Sequence, residues 1–153
     1  VENISGREDF FRSSVSASVL RRQLAAERPA VLRVRGRSMT PLVPEGSRVR
    51  LRSVSRNESL RGAVVAVDTG SYVAVHRVTR ARANRIRTQG IARAQPDPEW
   101  SKGDVIGVAC SVASPGCAWR IESEQRLRTL GRVAAVGARI YRAMRGPFFR
   151  RPG

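Results

Sequence analysis

Ala63-Val64-Val65-Ala66-Val67-Asp68-Thr69-Gly70-Ser71-Tyr72-Val73-Ala74-Val75-His76-Arg77-Val78-Thr79 is the stretch on which the fold turns. Its two valine-rich runs, Ala63 to Val67 and Tyr72 to Thr79, flank four residues of turn chemistry. Valine is stiff at χ1 and suits an extended, pleated backbone. The pattern recurs outward in both directions. Ala30 to Val34 and Arg48 to Val54 precede it, Val105 to Val112 follows, and Arg85 to Thr88 fits as a further strand; Gly, Pro, Ser, Asn and Asp fill the gaps. Short strands joined by short loops predict a mainly β body from Ala30 to Ile121, either an antiparallel twisted sheet or a small β-barrel.

Both ends change period. Ser5-Gly6-Arg7-Glu8 has capping-box form, and Phe11, Val15, Val19, Leu20 and Leu24 recur at helical spacing, which predicts a helix from Gly6 to Glu27 that stops before Pro29. At the other end Leu127, Leu130, Val133, Ala134, Gly137, Ile140, Tyr141 and Met144 step by three and four. Arg128, Arg132, Arg139 and Arg142 fall mostly away from them. This predicts a basic amphipathic helix from Glu124 to Arg145, broken by Gly146-Pro147 and followed by an exposed Phe148-Phe149-Arg150-Arg151 end. The chain thus divides into an N-terminal helical segment (1–29), a β domain (30–123) and a basic C-terminal helix with its tail (124–153).

A length of 153 residues suits one domain, and 41% hydrophobic with 27% charged residues is the composition of a folded body. The charge balance is unusual: 29 basic against 12 acidic residues give +17, and Lys102 is the only lysine. Such a surface attracts phosphates, anionic lipid headgroups or acidic peptides. No run reaches the roughly 20 apolar residues of a membrane span, and the opening Val1-Glu2-Asn3 is no secretory leader. The expected location is the cytoplasm, peripheral to a membrane through the C-terminal helix, or outside the cytoplasm if an anchor preceded this start. Cys110 and Cys117 bracket the turn-like Ala113-Ser114-Pro115-Gly116 and could face each other across a hairpin, although free thiols are the favoured reading. Two thiols and one histidine are too few for a zinc site, and no cofactor is expected.

Three residues carry candidate chemistry. Ser38 stands in Gly36-Arg37-Ser38-Met39-Thr40-Pro41-Leu42, a turn able to present a hydroxyl nucleophile, although Gly, Ser and Pro also fill ordinary loops for backbone reasons. His76, the only histidine, shares a strand face with Tyr72, Ala74 and Val78 by alternation; it suits a general base, although an isolated strand histidine is more commonly a core residue bonded to a carbonyl. Asp97, held between Pro96 and Pro98, could orient an imidazole, or merely satisfy loop amides.

Taken in order, these blocks identify a likeness. Ser38-Met39-Thr40-Pro41-Leu42, Gly46, Gly62-Ala63-Val64-Val65, His76-Arg77-Val78, Thr88-Gln89-Gly90 and Asp97 together resemble the type I signal peptidases, over about Val31 to Val112. The resemblance implies a β body of the signal-peptidase type with the first serine as nucleophile. In the bacterial branch and in the related self-cleaving repressors a lysine heads the Arg-Val block. The endoplasmic-reticulum, archaeal and spore-former branch has histidine there, as His76 stands here, and an aspartate soon after the Thr-x-Gly block, as Asp97 does. The catalytic group implied is therefore Ser38, His76 and Asp97, with the Ser38 backbone N–H as an oxyanion donor.

Two positions depart from the family pattern: Ser47 and Ile91 stand where aspartates usually follow Gly46 and Gly90. The anchor typical of the family is also missing, so the implied substrate is a peptide or protein precursor of no particular destination. Two other readings compete. One is a catalytically inactive scaffold of the same fold, which Ser47 and Ile91 favour. The other is a basic nucleic-acid-binding module, which 5% aromatic content disfavours because bases would find little to stack on.

Overall fold

The computed structural model describes residues 16–145. Helix α1 (Ala17–Ala25) leads into strands β1 (Ala30–Arg33), β2 (Arg48–Arg52), β3 (Val64–Asp68), β4 (Val73–Ala81), β5 (Arg85–Gln89), β6 (Glu99–Ser101), β7 (Val105–Ala113) and β8 (Arg120–Ile121), and helix α2 (Glu124–Arg145) closes the described chain. All strand pairs are antiparallel. They lie in the order β1-β2-β7-β3-β4-β5-β6, with β8 beside β7, and the sheet curls into a half-barrel. Register shifts at Arg50/Leu51, Ala66/Val67 and Val78/Arg80 add the local twist that curling needs. The fold is mainly β with a helix at each end, as the periodicity predicts.

The burial pattern explains the strand sequences. At the β1–β2 end alternate residues face water, Ala30 and Leu32 inward and Val31 outward. In β3 the run is unbroken because both faces are covered. Val64 and Ala66 join a core with Leu20 and Leu24 of α1 and Leu127 of α2. Val65 and Val67 join a second core with Leu60, Val78, Ile86 and Val108.

Helix α1 is shorter than the sequence predicts. Ser16 is extended (φ −72°, ψ 153°) and its Oγ accepts from the Val19 N–H, so it is the N-cap and the helix begins at Ala17 rather than Gly6. Its end comes at Ala25, and Glu27 takes a left-handed φ of 54° before Pro29. The expected Ser5–Glu8 capping box, Phe11 and Val15 lie outside the described residues, as does the Phe148–Arg151 end. Strands β6 and β8, three and two residues long, are too short to show a period and were not foreseen. Cys110 and Cys117 are free. The β7–β8 register pairs Val112 with Ile121 and Ala113 with Arg120, which leaves Cys117 in the connecting turn and not opposite Cys110.

Helix α2 spans Glu124–Arg145 as expected, but its faces are distributed differently. It docks on the body through Leu127 and the small residues Gly131, Ala134 and Ala138. Leu130, Val133, Val136, Ile140, Tyr141 and Met144 face solvent. A stripe of small residues lets the helix approach closely: a Cβ on Gly131 would meet Leu42 at 3.5 Å and Arg77 at 3.4 Å. Ion pairs fasten its first turn. Arg52 binds Glu58 and Glu124, each through two hydrogen bonds of 2.7–2.8 Å, and Arg128 pairs with Glu124 at 3.2 Å. The shared arginine holds both carboxyls below their ordinary range. Among the described residues no helix is long and apolar enough to cross a membrane.

Candidate active site

Ser38 sits in an excursion between β1 and β2 whose ends are pinned. Val34 continues the ladder past β1, donating to Ser47 at 2.9 Å and accepting from Gly46 at 2.8 Å. Gly36 adopts φ 85°, which glycine reaches without steric cost, and its N–H donates to the Glu45 carboxylate. Met39, Leu42 and Val43 then bury their side chains in the first core. The serine hydroxyl is thereby carried on a turn anchored by three apolar plugs, with the serine itself 8% exposed.

The other two residues arrive from the far end of the strand order. His76 is buried in β4 opposite Val65 of β3. Asp97 follows β5, where its N–H donates to the Thr88 carbonyl at 2.9 Å and turns the chain back toward β6. The structure brings the three together. His76 Nε2 lies 3.0 Å from Ser38 Oγ, and His76 Nδ1 lies 2.5 Å from Asp97 Oδ2.

Electrostatics fix the direction of these bonds. Burial pushes the Asp97 carboxyl up, but the hydrogen bond and charge of His76, the Thr88 hydroxyl and the Arg93 charge outweigh it and hold it below the ordinary aspartate value. An ionised carboxylate only accepts, so the proton on this contact belongs to Nδ1. In the neutral imidazole Nε2 then has a free lone pair and accepts from the Ser38 hydroxyl.

Three residues to which the sequence assigns no role of their own complete the arrangement: Thr88 and Gly90, from the Thr88-Gln89-Gly90 block, and Trp100. Thr88 Oγ1 donates to Asp97 Oδ2 at 2.7 Å and accepts from Trp100 Nε1 at 3.0 Å. Asp97 is thus held by a second chain of donors beside His76. The half-buried indole N–H requires an acceptor, which is a signal of sorts, but nothing in the spacing of Trp100 announces which one. Gly90 is the third contributor. A Cβ there would stand 2.7 Å from the Ser38 carbonyl oxygen and 2.9 Å from its Cβ, so only glycine fits behind the serine. The Ala92 N–H donates to that same carbonyl at 2.8 Å.

The remaining candidates fall elsewhere. Lys102, the one lysine, directs Nζ to the Glu58 carbonyl oxygen at 3.5 Å and takes no part in the contact with Ser38. Ile91 packs into the first core, and the fully buried Ser47 has an Oγ without a hydrogen-bond partner among the described residues. Neither position therefore joins the hydrogen-bonded group. No cluster of three or more potential metal ligands occurs among the described residues.

A curled antiparallel sheet carrying a buried serine and histidine and a half-buried aspartate in hydrogen-bonded sequence suits a domain of the peptidase type. Residues 4–110, about 70% of the chain, match the family described as Peptidase S24-like, and the chain belongs to that family. The match is to this peptidase family and does not reach to the type I signal peptidases or their Ser-His branch. Neither curated proteins nor solved structures give a match.

Proposed function

We propose that this domain is a serine endopeptidase that cleaves a peptide or protein precursor, with Ser38 as nucleophile, His76 as general base and Asp97 as the residue that orients it. The observation that carries this reading is the position of His76, bonded at one nitrogen to Ser38 and at the other to Asp97. Ser38 Oγ attacks the scissile carbonyl carbon while its proton passes to His76 Nε2; the resulting imidazolium is balanced by the Asp97 carboxylate. The carbonyl electrons move onto oxygen, where the Ser38 N–H stabilises them, a contribution of about 3–4 kcal/mol for one well-placed donor. Collapse expels the amine, which takes the proton from His76. Water, deprotonated by the same imidazole, then releases the acyl group from Ser38. The Ser-His branch of the signal peptidases fits this reading, because histidine and not lysine meets the serine.

The test is covalent labelling with a fluorophosphonate probe. The native chain is expected to label at Ser38, Ser38→Ala to give no label, and His76→Ala to lose nearly all reactivity. Asp97→Asn should do equal or lesser damage, since these residues act as one unit. A well-folded native chain that resists labelling would leave the inactive-scaffold reading in its place.

A further inference from the structure

Five arginines gather where α2 crosses the sheet beside this site. Arg61, Arg77, Arg132 and Arg139 line a cleft of about 550 Å³, together with Ser59 and Thr79. That volume exceeds a single ion by far. Through Arg77, Thr79 and Arg139 the cleft continues into a groove bordered by Gln89, Gly90, Ile91 and Arg142. Gly90 is the residue packed against Ser38, so the basic surface begins at the nucleophile's back and runs along the helix. Arg132 and Arg139 are seven residues apart on α2, hence on one side of it.

These charges are not balanced from within. Among the described residues no carboxylate lies within ion-pair distance of any of the five; the neighbouring Glu58 and Glu124 are taken by Arg52 and Arg128. Arg77 is half-buried, and its Nε has no hydrogen-bond partner. Burial, followed by the charges of Arg132, Arg139 and Arg61, pulls its guanidinium below the usual arginine range. Crowded like charges around an unsatisfied buried donor destabilise a fold unless an anion arrives to meet them.

We propose that this cleft binds the carboxylates of an acidic stretch in the peptide that Ser38 attacks, on one side of the scissile bond. The proposal rests on the peptidase reading for its substrate, although the binding stands on the cleft alone. A peptide fits better than a nucleic acid because no aromatic side chain lines either part of the cleft, so bases would have nothing to stack on. Planar guanidinium forks match carboxylates two bonds at a time.

The experiment measures fluorescence anisotropy of fluorescein-labelled hexaglutamate against the full Ser38→Ala chain, at about physiological ionic strength to suppress diffuse attraction. Hexaglutamate should bind and hexaglutamine should not. Joint replacement Arg132→Gln with Arg139→Gln should weaken binding at least about tenfold, since each removes a charge-assisted pair. Both arginines are exposed, so the fold survives; circular dichroism checks it. Arg48→Gln with Arg50→Gln, on the exposed side of β2, should change affinity little. Equal losses from the two pairs would show mere bulk attraction and overturn the proposal. So would a single-stranded thymidylate decamer that binds through Arg132 and Arg139 more tightly than hexaglutamate. In the native chain hexaglutamate should also slow fluorophosphonate labelling of Ser38. Absence of any labelling would refute the peptidase reading instead, and anisotropy would still decide the cleft.

Discussion

Gly90→Ala removes no polar group and alters neither His76 nor Asp97 itself, yet it should cripple the serine. An ordinary contact begins at 3.4 Å, and the new methyl would stand 2.7 Å from the Ser38 carbonyl oxygen and 2.9 Å from Ser38 Cβ. Ser38 or the Gly90 backbone must therefore yield by about 0.7 Å. The serine cannot retreat freely, because Met39, Leu42 and Val43 hold its turn in the core and Ala92 holds its carbonyl. The displacement falls on the 3.0 Å contact between Ser38 Oγ and His76 Nε2, which a lengthening of that size would carry beyond the roughly 3.2 Å limit of such a bond. A misplacement approaching 1 Å costs up to about a hundredfold in rate, equivalent to about 2.7 kcal/mol of barrier. The assay is the second-order rate of fluorophosphonate labelling, compared with the native chain at equal melting temperature. Labelling at the native rate in a folded Gly90→Ala variant would refute the argument that glycine sets the serine's position.

Other outcomes follow from features elsewhere in the molecule. Arg52→Met should lower the melting temperature by about 2–6 °C, from a cost of about 1–2 kcal/mol discounted for an arginine one-third exposed, because it strands Glu58 and Glu124 together; calorimetry measures it. Acid should destabilise the fold in a particular window. Asp97, Glu58 and Glu124 all titrate below their ordinary values when folded, so the unfolded chain binds more protons once pH falls to about 4. Stability should hold above that value and fall progressively below it, and thermal melts across this range read the slope. The solvent-facing stripe of α2, on a chain of charge +17, suits an anionic membrane surface. Val133→Ser with Ile140→Ser should then reduce sedimentation with phosphatidylglycerol vesicles several-fold, whereas unchanged sedimentation would remove the membrane from consideration.

Much of the architecture was legible because β-branched residues dominate the strands and arginines with small residues mark α2. The start of α2 at Glu124 was legible from its helical period, and the described residues end at Arg145 still within the helix. Its orientation was not legible. Periodicity separates apolar from charged faces, but it does not say that Gly131, Ala134 and Ala138 form the docking face while larger apolar residues look outward; that depends on how closely Arg77 and Leu42 let the helix approach. Helix α1 was overextended because Ser16 offers a cap in mid-pattern, and capping depends on a backbone angle invisible in the sequence. At the site, Ser38, His76 and Asp97 stood out through their blocks. Thr88 stood in a block but without a role and Trp100 in none, because their roles arise only when β5 and β6 are laid side by side, with Ile86 opposite Trp100.

The strand order has a topological consequence for the serine. Ser38 hangs from the strand at one extremity of the order, β1, while His76 and Asp97 belong to β4 and to the β5–β6 connection near the other. Three intervening strands, β2, β7 and β3, must bend far enough for these two ends to touch. The 3.0 Å contact is therefore a clasp between the two, and the reactivity of one hydroxyl reports whether the whole sheet has closed. A population whose sheet has relaxed by a few degrees at each bulge would keep its strands and its circular dichroism while its nucleophile had fallen silent.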